Sequence, residues 1–208
     1  MSQDISMIKV SFIVPTKNSG HTIIEALESI KRQNLAHYEV VVVDNGSTDD
    51  TLEKCATYKC IVFHNNEGNV STSRNMGAAG SSFDYLCFVD SDIIIPDNWI
   101  QQAITRLHET KSVLCGSKAV KPLPNETWVS KAWIDHLFVS EQNQIKNTKW
   151  VPTQLMLVTS IAFKSVEGFD ETLVSCEDVE FCHRVSEKYK ITSSADLAPY
   201  HLGNPKTI

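Results

Sequence analysis

Asp90 and Asp92 stand one residue apart in YLCFVDSDIII, residues 85–95, directly behind an apolar run. Two carboxylates that close, at the end of what reads as a buried strand, repel each other wherever water is scarce. A divalent cation relieves the repulsion. Hard cations prefer oxygen ligands, and Mg2+ is often held by one or two carboxylates together with the phosphates of a substrate. A cation in that place also neutralises charge developing on a departing diphosphate. The pattern is short, and a solvated turn carries the same residues without a metal. A second acidic pair, Glu177-Asp178, opens EDVEFCHRVSEKY, where Val179, Cys182, Val185 and Tyr189 recur near helical spacing. Acidic residues in a first turn favour the helix dipole with or without chemistry, and the dipole is expected to hold them ionised.

The elements that must position these groups are readable from periodicity. VSFIVP (residues 10–15), YEVVVVD, CIVFH and YLCFV are short apolar or β-branched runs of the buried-strand kind. Between them, Ile23, Leu27 and Ile30 predict a helix from Thr22 to Gln33, and NVSTSRNMGAAG predicts one closed by Gly80. NGSTDDT predicts a turn with Ser47 or Thr48 capping a helix that reaches Tyr58. Strands and helices alternate from residue 10 to 116, which predicts an α/β fold: parallel strands with crossover helices on both faces. In such sheets ligands bind beyond the carboxyl ends of the strands. Asp44, Asn45, Asn65, Asn66, Asp90 and Asp92 all fall there. Further on, KPLPNETWVSKAW reads as a loop leading into a short helix, and WVPTQLMLVTSIAF as a strand. There is no internal repeat and no low-complexity segment.

Composition narrows the function classes. The 208 residues suffice for one substantial core. A formal charge of −6 without any run of Lys or Arg excludes a nucleic-acid partner by the usual electrostatic criterion. The first ten residues are polar and lack the apolar centre of a signal peptide, and no apolar stretch is long enough to cross a bilayer. A cytoplasmic protein is expected, with peripheral membrane association left open. None of the six cysteines forms a C-x-x-C pair, which gives a zinc site little support, and with no secretory signal in view reduced thiols are expected.

SFIVPTKNSGHTIIEALESIKRQN, YEVVVVDNGSTDDT, SRNMGAAG, LCFVDSD and GFDETLVSCEDVEFCHRV follow one another in the order and approximate spacing of family 2 glycosyltransferases. The chain resembles these inverting, nucleotide-sugar-dependent enzymes from residue 9 to 190. The resemblance implies the GT-A fold, an α/β architecture with a mostly parallel central sheet flanked by helices on both faces. It implies one domain over 1–208, with a nucleotide-sugar-binding half (9–116) and an acceptor and catalytic-base half (117–208).

The resemblance also implies roles. Pro15, Thr16 and Asn18 match the first loop, which contacts the base and ribose of the donor. Asp44 and Asn45 match a pair that is often Asp-Asp, whose second member commonly accepts the base N3–H. The amide oxygen of Asn45 can accept that bond, but without charge. Ser47 belongs to the same loop. Arg74 and Asn75 match residues that approach the nucleotide, Arg74 as a phosphate or base contact; the competing reading of Arg74 is an ordinary surface helix cation. Asp90 would face the ribose or the cation, Ser91 would lie beside the nucleotide, and Asp92 would be the direct metal ligand. His201 stands where some relatives provide a third metal ligand, and a hydrogen-bonded structural histidine is the competing reading. Asp178 is the implied base and Glu177 an orienting or acceptor-binding group. Gly168 matches a close backbone approach before the base helix, Phe169 a packing position, and Asp170 an acceptor contact or a turn cap. Trp128, Trp133 and Trp150 could stack on a sugar or pack.

The implied reaction is transfer of a sugar with inversion from a nucleoside-diphosphate sugar to a glycan or lipid-linked acceptor, with Mn2+ or Mg2+, in surface polysaccharide or glycan synthesis. Two other readings are open. A sugar-phosphate nucleotidyltransferase also uses a parallel sheet and carboxylate-held Mg2+, but usually has a Gly-rich basic first loop, whereas PTKNSGHT holds one Gly and one Lys. A non-catalytic nucleotide-sugar-binding module would have no use for Asp178.

Overall fold

A computed structural model describes residues 7–137 and 145–203; the outermost ends of the expected 1–208 domain lie outside that range. In chain order the elements are β1 (Lys9–Thr16), α1 (Ile23–Lys31), β2 (His37–Asp44), α2 (Thr51–Ala56), β3 (Ile61–His64), α3 (Val70–Ala79) and β4 (Tyr85–Val89). They continue with β5 (Ile93–Ile94), α4 (Trp99–Thr110), β6 (Leu114–Gly116), α5 (Trp128–Leu137), β7 (Lys146–Thr148) and β8 (Leu155–Thr159). The last are α6 (Ser160–Ser165), α7 (Glu177–Lys188), β9 (Ile191–Ser193) and β10 (Tyr200–His201).

One sheet runs in the order β3-β2-β1-β4-β8-β6-β9-β7. The β3-β2-β1-β4 block and the β6-β9 pair are parallel, as the alternation predicts. β8 enters antiparallel between β4 and β6, and β7 closes the far edge antiparallel to β9. β10 and β5 form a separate two-stranded ribbon in which His201 pairs with Ile93.

Strand alternation divides the core between the two faces of the sheet. Val10, Phe12 and Val14 of β1, with Cys87 and Val89 of β4, pack on Ile23, Leu27 and Ile30 of α1 and on Trp99 and Ile100 of α4. Ile13, Leu86 and Phe88 face the other way, with Phe163 of α6 and Phe181, Cys182 and Val185 of α7. On that second face Phe163, Phe169 and Phe181 stack, Phe169 and Phe181 with ring centroids 4.4 Å apart. α3 lies close on the sheet because Gly77 has no side chain. A Cβ there would stand 2.5 Å from Cγ2 of Ile13 and 3.2 Å from Cγ2 of Val43.

Three expectations change. Neither Ser47 nor Thr48 caps α2, which begins at Thr51 behind Asp50; the Ser47 hydroxyl instead accepts from the Asn18 backbone N–H at 2.9 Å. α2 stops at Ala56, short of Tyr58. The strand read across residues 150–163 is confined to Leu155–Thr159, because Thr159 Oγ1 accepts from the Ala162 N–H and turns the chain into α6. All six cysteines are free. Among the described residues no helix is long and apolar enough to cross a membrane.

Candidate active site

The carboxyl ends of the parallel strands open on a cleft of about 280 Å³. Pro15 and Thr16 reach it from the end of β1, Asn45 from behind β2, Ser73 and Arg74 from α3, and Asp90, Ser91 and Asp92 from the turn after β4. Lys17 also lines it. Sequence reasoning passed over that lysine, although a cation between Thr16 and Asn18 was the signal that could have found it. Thr16 Oγ1 and Arg74 Nε are buried without a hydrogen-bond partner among the described residues.

The loops behind the cleft are fastened to one another. Asn18, with φ 49°, accepts from Thr48 N–H at 2.8 Å. Ser19 N–H donates to Thr51 Oγ1 at 2.8 Å, and the hydroxyls of Ser19 and Ser91 lie 2.7 Å apart. Asp44 is buried, its carboxylate accepting from the Ser47 N–H at 3.1 Å with His64 Nδ1 3.8 Å away. Of the residues expected at the base and ribose, Pro15, Thr16 and Asn45 therefore line the cleft. Asn18, Asp44 and Ser47 shape the loops behind it, and Ser91 binds the first loop while still lining the cleft.

Arg74 is not a surface cation. Its side chain is only 3% exposed, with Nη1 donating to Glu177 Oε1 at 2.7 Å and Nη2 to Asp90 Oδ1 at 3.0 Å. Its guanidinium carbon lies 5.6 Å from the centre of the Phe169 ring. Thus the Asp90 carboxylate, expected at the ribose or the cation, is already paired with a buried arginine. Asn75 serves a turn and not the cleft: its Nδ2 donates to Phe169 O at 2.8 Å and to Glu171 Oε1 at 2.9 Å, and its Oδ1 accepts from Phe169 N–H at 2.9 Å. Gly168 makes that bracket possible, with φ 73° and room for no Cβ, which would lie 2.5 Å from Asn75 Oδ1. Asp170 accepts from Thr172 N–H at 2.9 Å, so it caps the turn.

Asp92 sits with His201, Nε2 to Oδ2 3.3 Å. Burial works against ionisation of Asp92, yet the bond and charge of His201, helped by His21, hold it below the usual carboxylate range. Asp178 is shifted the other way. Burial raises it and the Glu177 charge adds to the rise, while the Val179 N–H bond and Arg74 oppose it. This direction is opposite to the one a helix N-terminus favours, because desolvation is the largest influence on this carboxyl. Of the tryptophans, Trp128 is 70% and Trp133 46% exposed, whereas the Trp150 ring carries Lys118 Nζ 4.8 Å from its centre.

Among the described residues no three His, Cys, Asp or Glu side chains form a metal cage. Two carboxylates line the cleft, Asp90 with its Oδ1 on Arg74 and Asp92 with the His201 imidazole beside it, so the pair not engaged by Arg74 is Asp92 and His201. Two protein ligands suit a hard cation that takes its remaining oxygens from phosphates and water.

Comparison with known proteins accords with this geometry. The family model described as Glycosyl transferase family 2 matches residues 11–162. Glycosyltransferase GlyG of Streptococcus pneumoniae is 30% identical over 106 residues, which are 48% of this chain and 35% of that protein. The structure of S. aureus TarS 1–349 in complex with UDP-GlcNAc superposes with a TM-score of 0.70 at 25% identity, over 96% of this chain and 60% of that one. Mannosyltransferase PcManGT from Pyrobaculum calidifontis, in complex with GDP-Man and Mn2+, superposes at 0.72 with 19% identity, over 93% of this chain and 56% of that one. This chain thus spans about a third of GlyG and somewhat more than half of either solved structure. The family match over most of the chain, and the GT-A architecture with its strand-end cleft, make the protein a member of glycosyl transferase family 2.

Proposed function

We propose that the chain transfers a sugar from a nucleoside-diphosphate sugar to an acceptor hydroxyl, with inversion at the anomeric carbon. One observation carries the reading: Glu177, the residue before Asp178, is joined through Arg74 to Asp90 at the end of β4. The start of α7, which carries the carboxyl proposed as base, is thereby tied to a residue that lines the strand-end cleft. Pro15, Thr16 and Asn45 surround the base and ribose, and the buried Thr16 hydroxyl has no hydrogen-bond partner among the described residues. Lys17 offers charge to the diphosphate. Asp92 and His201 would hold Mn2+ or Mg2+, which when bound supplies charge neutralisation at the departing diphosphate. Asp178 takes the proton of the attacking hydroxyl, and its raised pKa makes it a stronger base than an ordinary aspartate. The UDP-GlcNAc held by TarS, which is 25% identical, makes UDP-sugars the first donors to try.

The test is a thermal-unfolding screen of UDP-GlcNAc, dTDP-glucose and GDP-mannose, each with and without Mn2+. A donor at about a hundred times its Kd stabilises by about 2.7 kcal/mol, which for a domain of this size is about 5–11 °C. If no sugar nucleotide shifts the transition under any of these conditions, the reading is wrong.

A further inference from the structure

Two side chains of α3, and that of its N-cap residue Asn69, reach across to the segment that precedes and opens α7. Asn69 Nδ2 donates to the carbonyls of Glu171 and Leu173 at 2.8 and 3.0 Å. Asn75 brackets the Phe169 backbone, donating to its carbonyl and accepting from its N–H. Arg74 lies between them with both terminal nitrogens committed, to Glu177 and to Asp90. The partners of these bonds are 94 to 104 residues away in sequence, apart from Asp90. We propose that Arg74 is a positioning residue: buried between the donor cleft and the base helix, it fixes the Glu177–Asp178 end of α7 against Asp90 and balances the charge around Asp178. This rests on the reading of Asp178 as base.

The geometry makes a phosphate contact a poor alternative. Each terminal nitrogen of the Arg74 guanidinium already gives one of its N–H bonds to a carboxylate, in a side chain 3% exposed, and the Nε N–H is buried in the protein interior. Its planar fork meets two acceptors at once, which a lysine ammonium on a flexible stem does not reproduce. The groups facing Asp178 are Glu177 beside it, Arg74 from α3, the Val179 N–H, and Cys182 one turn on, toward which Lys118 also points its charge. Glu177 favours protonation of Asp178, and Arg74 disfavours it.

The experiment titrates Asp178 by NMR of 13C-carboxyl-labelled protein, assigned with Asp178→Asn, alongside UDP binding by calorimetry in Mn2+. In Arg74→Met the Asp178 midpoint moves up, and in Glu177→Gln it moves down. In Arg74→Lys, which keeps the charge, the midpoint stays near the native one while UDP release from the donor found in the screen slows about tenfold. UDP affinity stays within about threefold of native in all three. An unmoved midpoint in both Arg74→Met and Glu177→Gln overturns the inference. So does a tenfold or greater loss of UDP affinity in Arg74→Met with the midpoint unchanged, the signature of a phosphate contact. Should Arg74→Met fail to fold, Glu177→Gln and Arg74→Lys carry the same test. Failure of the native chain to bind UDP and every sugar nucleotide counts against the proposed function, and the midpoints then judge the inference by themselves.

Discussion

Replacing Asn75 by alanine separates a residue that holds a turn from one that touches a nucleotide. The substitution removes the two bonds to the Phe169 backbone, one to its carbonyl at 2.8 Å and one from its N–H at 2.9 Å, and the bond to the Glu171 carboxylate. Each partly buried bond to the backbone contributes about 1 kcal/mol, so the pair is worth about 2 kcal/mol. The Glu171 bond faces water and adds little. Alanine returns about 0.5 kcal/mol through its better helix propensity at this position of α3. The net loss is about 1.5 kcal/mol, which lowers the melting temperature by about 3–6 °C in a domain of this size. Urea unfolding of both proteins at one pH measures the loss, and calorimetry with UDP in Mn2+ measures binding. Affinity should be close to native. Unchanged stability together with a roughly tenfold weaker UDP complex would refute the argument and return Asn75 to the nucleotide.

Asp178→Asn should retain donor-induced stabilisation in the thermal screen while transfer falls by about 10²–10⁴, the range of a lost general base. The raised pKa of Asp178 means it gains its proton at higher pH than an ordinary aspartate, near 3.9. As pH falls, turnover at saturating donor should therefore decline before that value is reached, and a rate flat down to it contradicts the assignment. Asp92→Asn leaves His201 without its carboxylate partner, and Mn2+ should then add nothing to the donor's thermal shift. Phe181→Ala empties a fully buried position stacked on Phe163 and Phe169, and should cost about 4 kcal/mol in denaturant unfolding.

The first four strands were legible because each is an apolar, often β-branched run that ends abruptly in polar residues, and burial on both faces demands such runs. The same endings pointed to the cleft, since Asn45 and Asp90 follow directly on strands and Asp92 stands two residues further on. What stayed hidden depends on partners far along the chain. Ser47 reads as a helix cap by residue type, yet Asn18, 29 residues earlier, takes its hydroxyl. Arg74 reads as an exposed helix cation, because nothing near it announces that Glu177, 103 residues away, will pair with it. The place of β8 between β4 and β6 is a matter of strand order, on which periodicity is silent. Desolvation of Asp178 likewise depends on packing around α7, and it reverses the sign that the helix dipole alone implies.

β4 is hydrogen-bonded on one side to β1, in the first half of the chain, and on the other to β8, in the second. The halves are therefore not separable building blocks. A cut after residue 116 would strip one flank from β4 and leave β6 without either neighbour, baring rows of peptide groups that invite association with other chains. Two such fragments would have to be mixed to recover the molecule, and neither could be grafted alone onto another protein as a ready-made sugar-nucleotide or acceptor cassette.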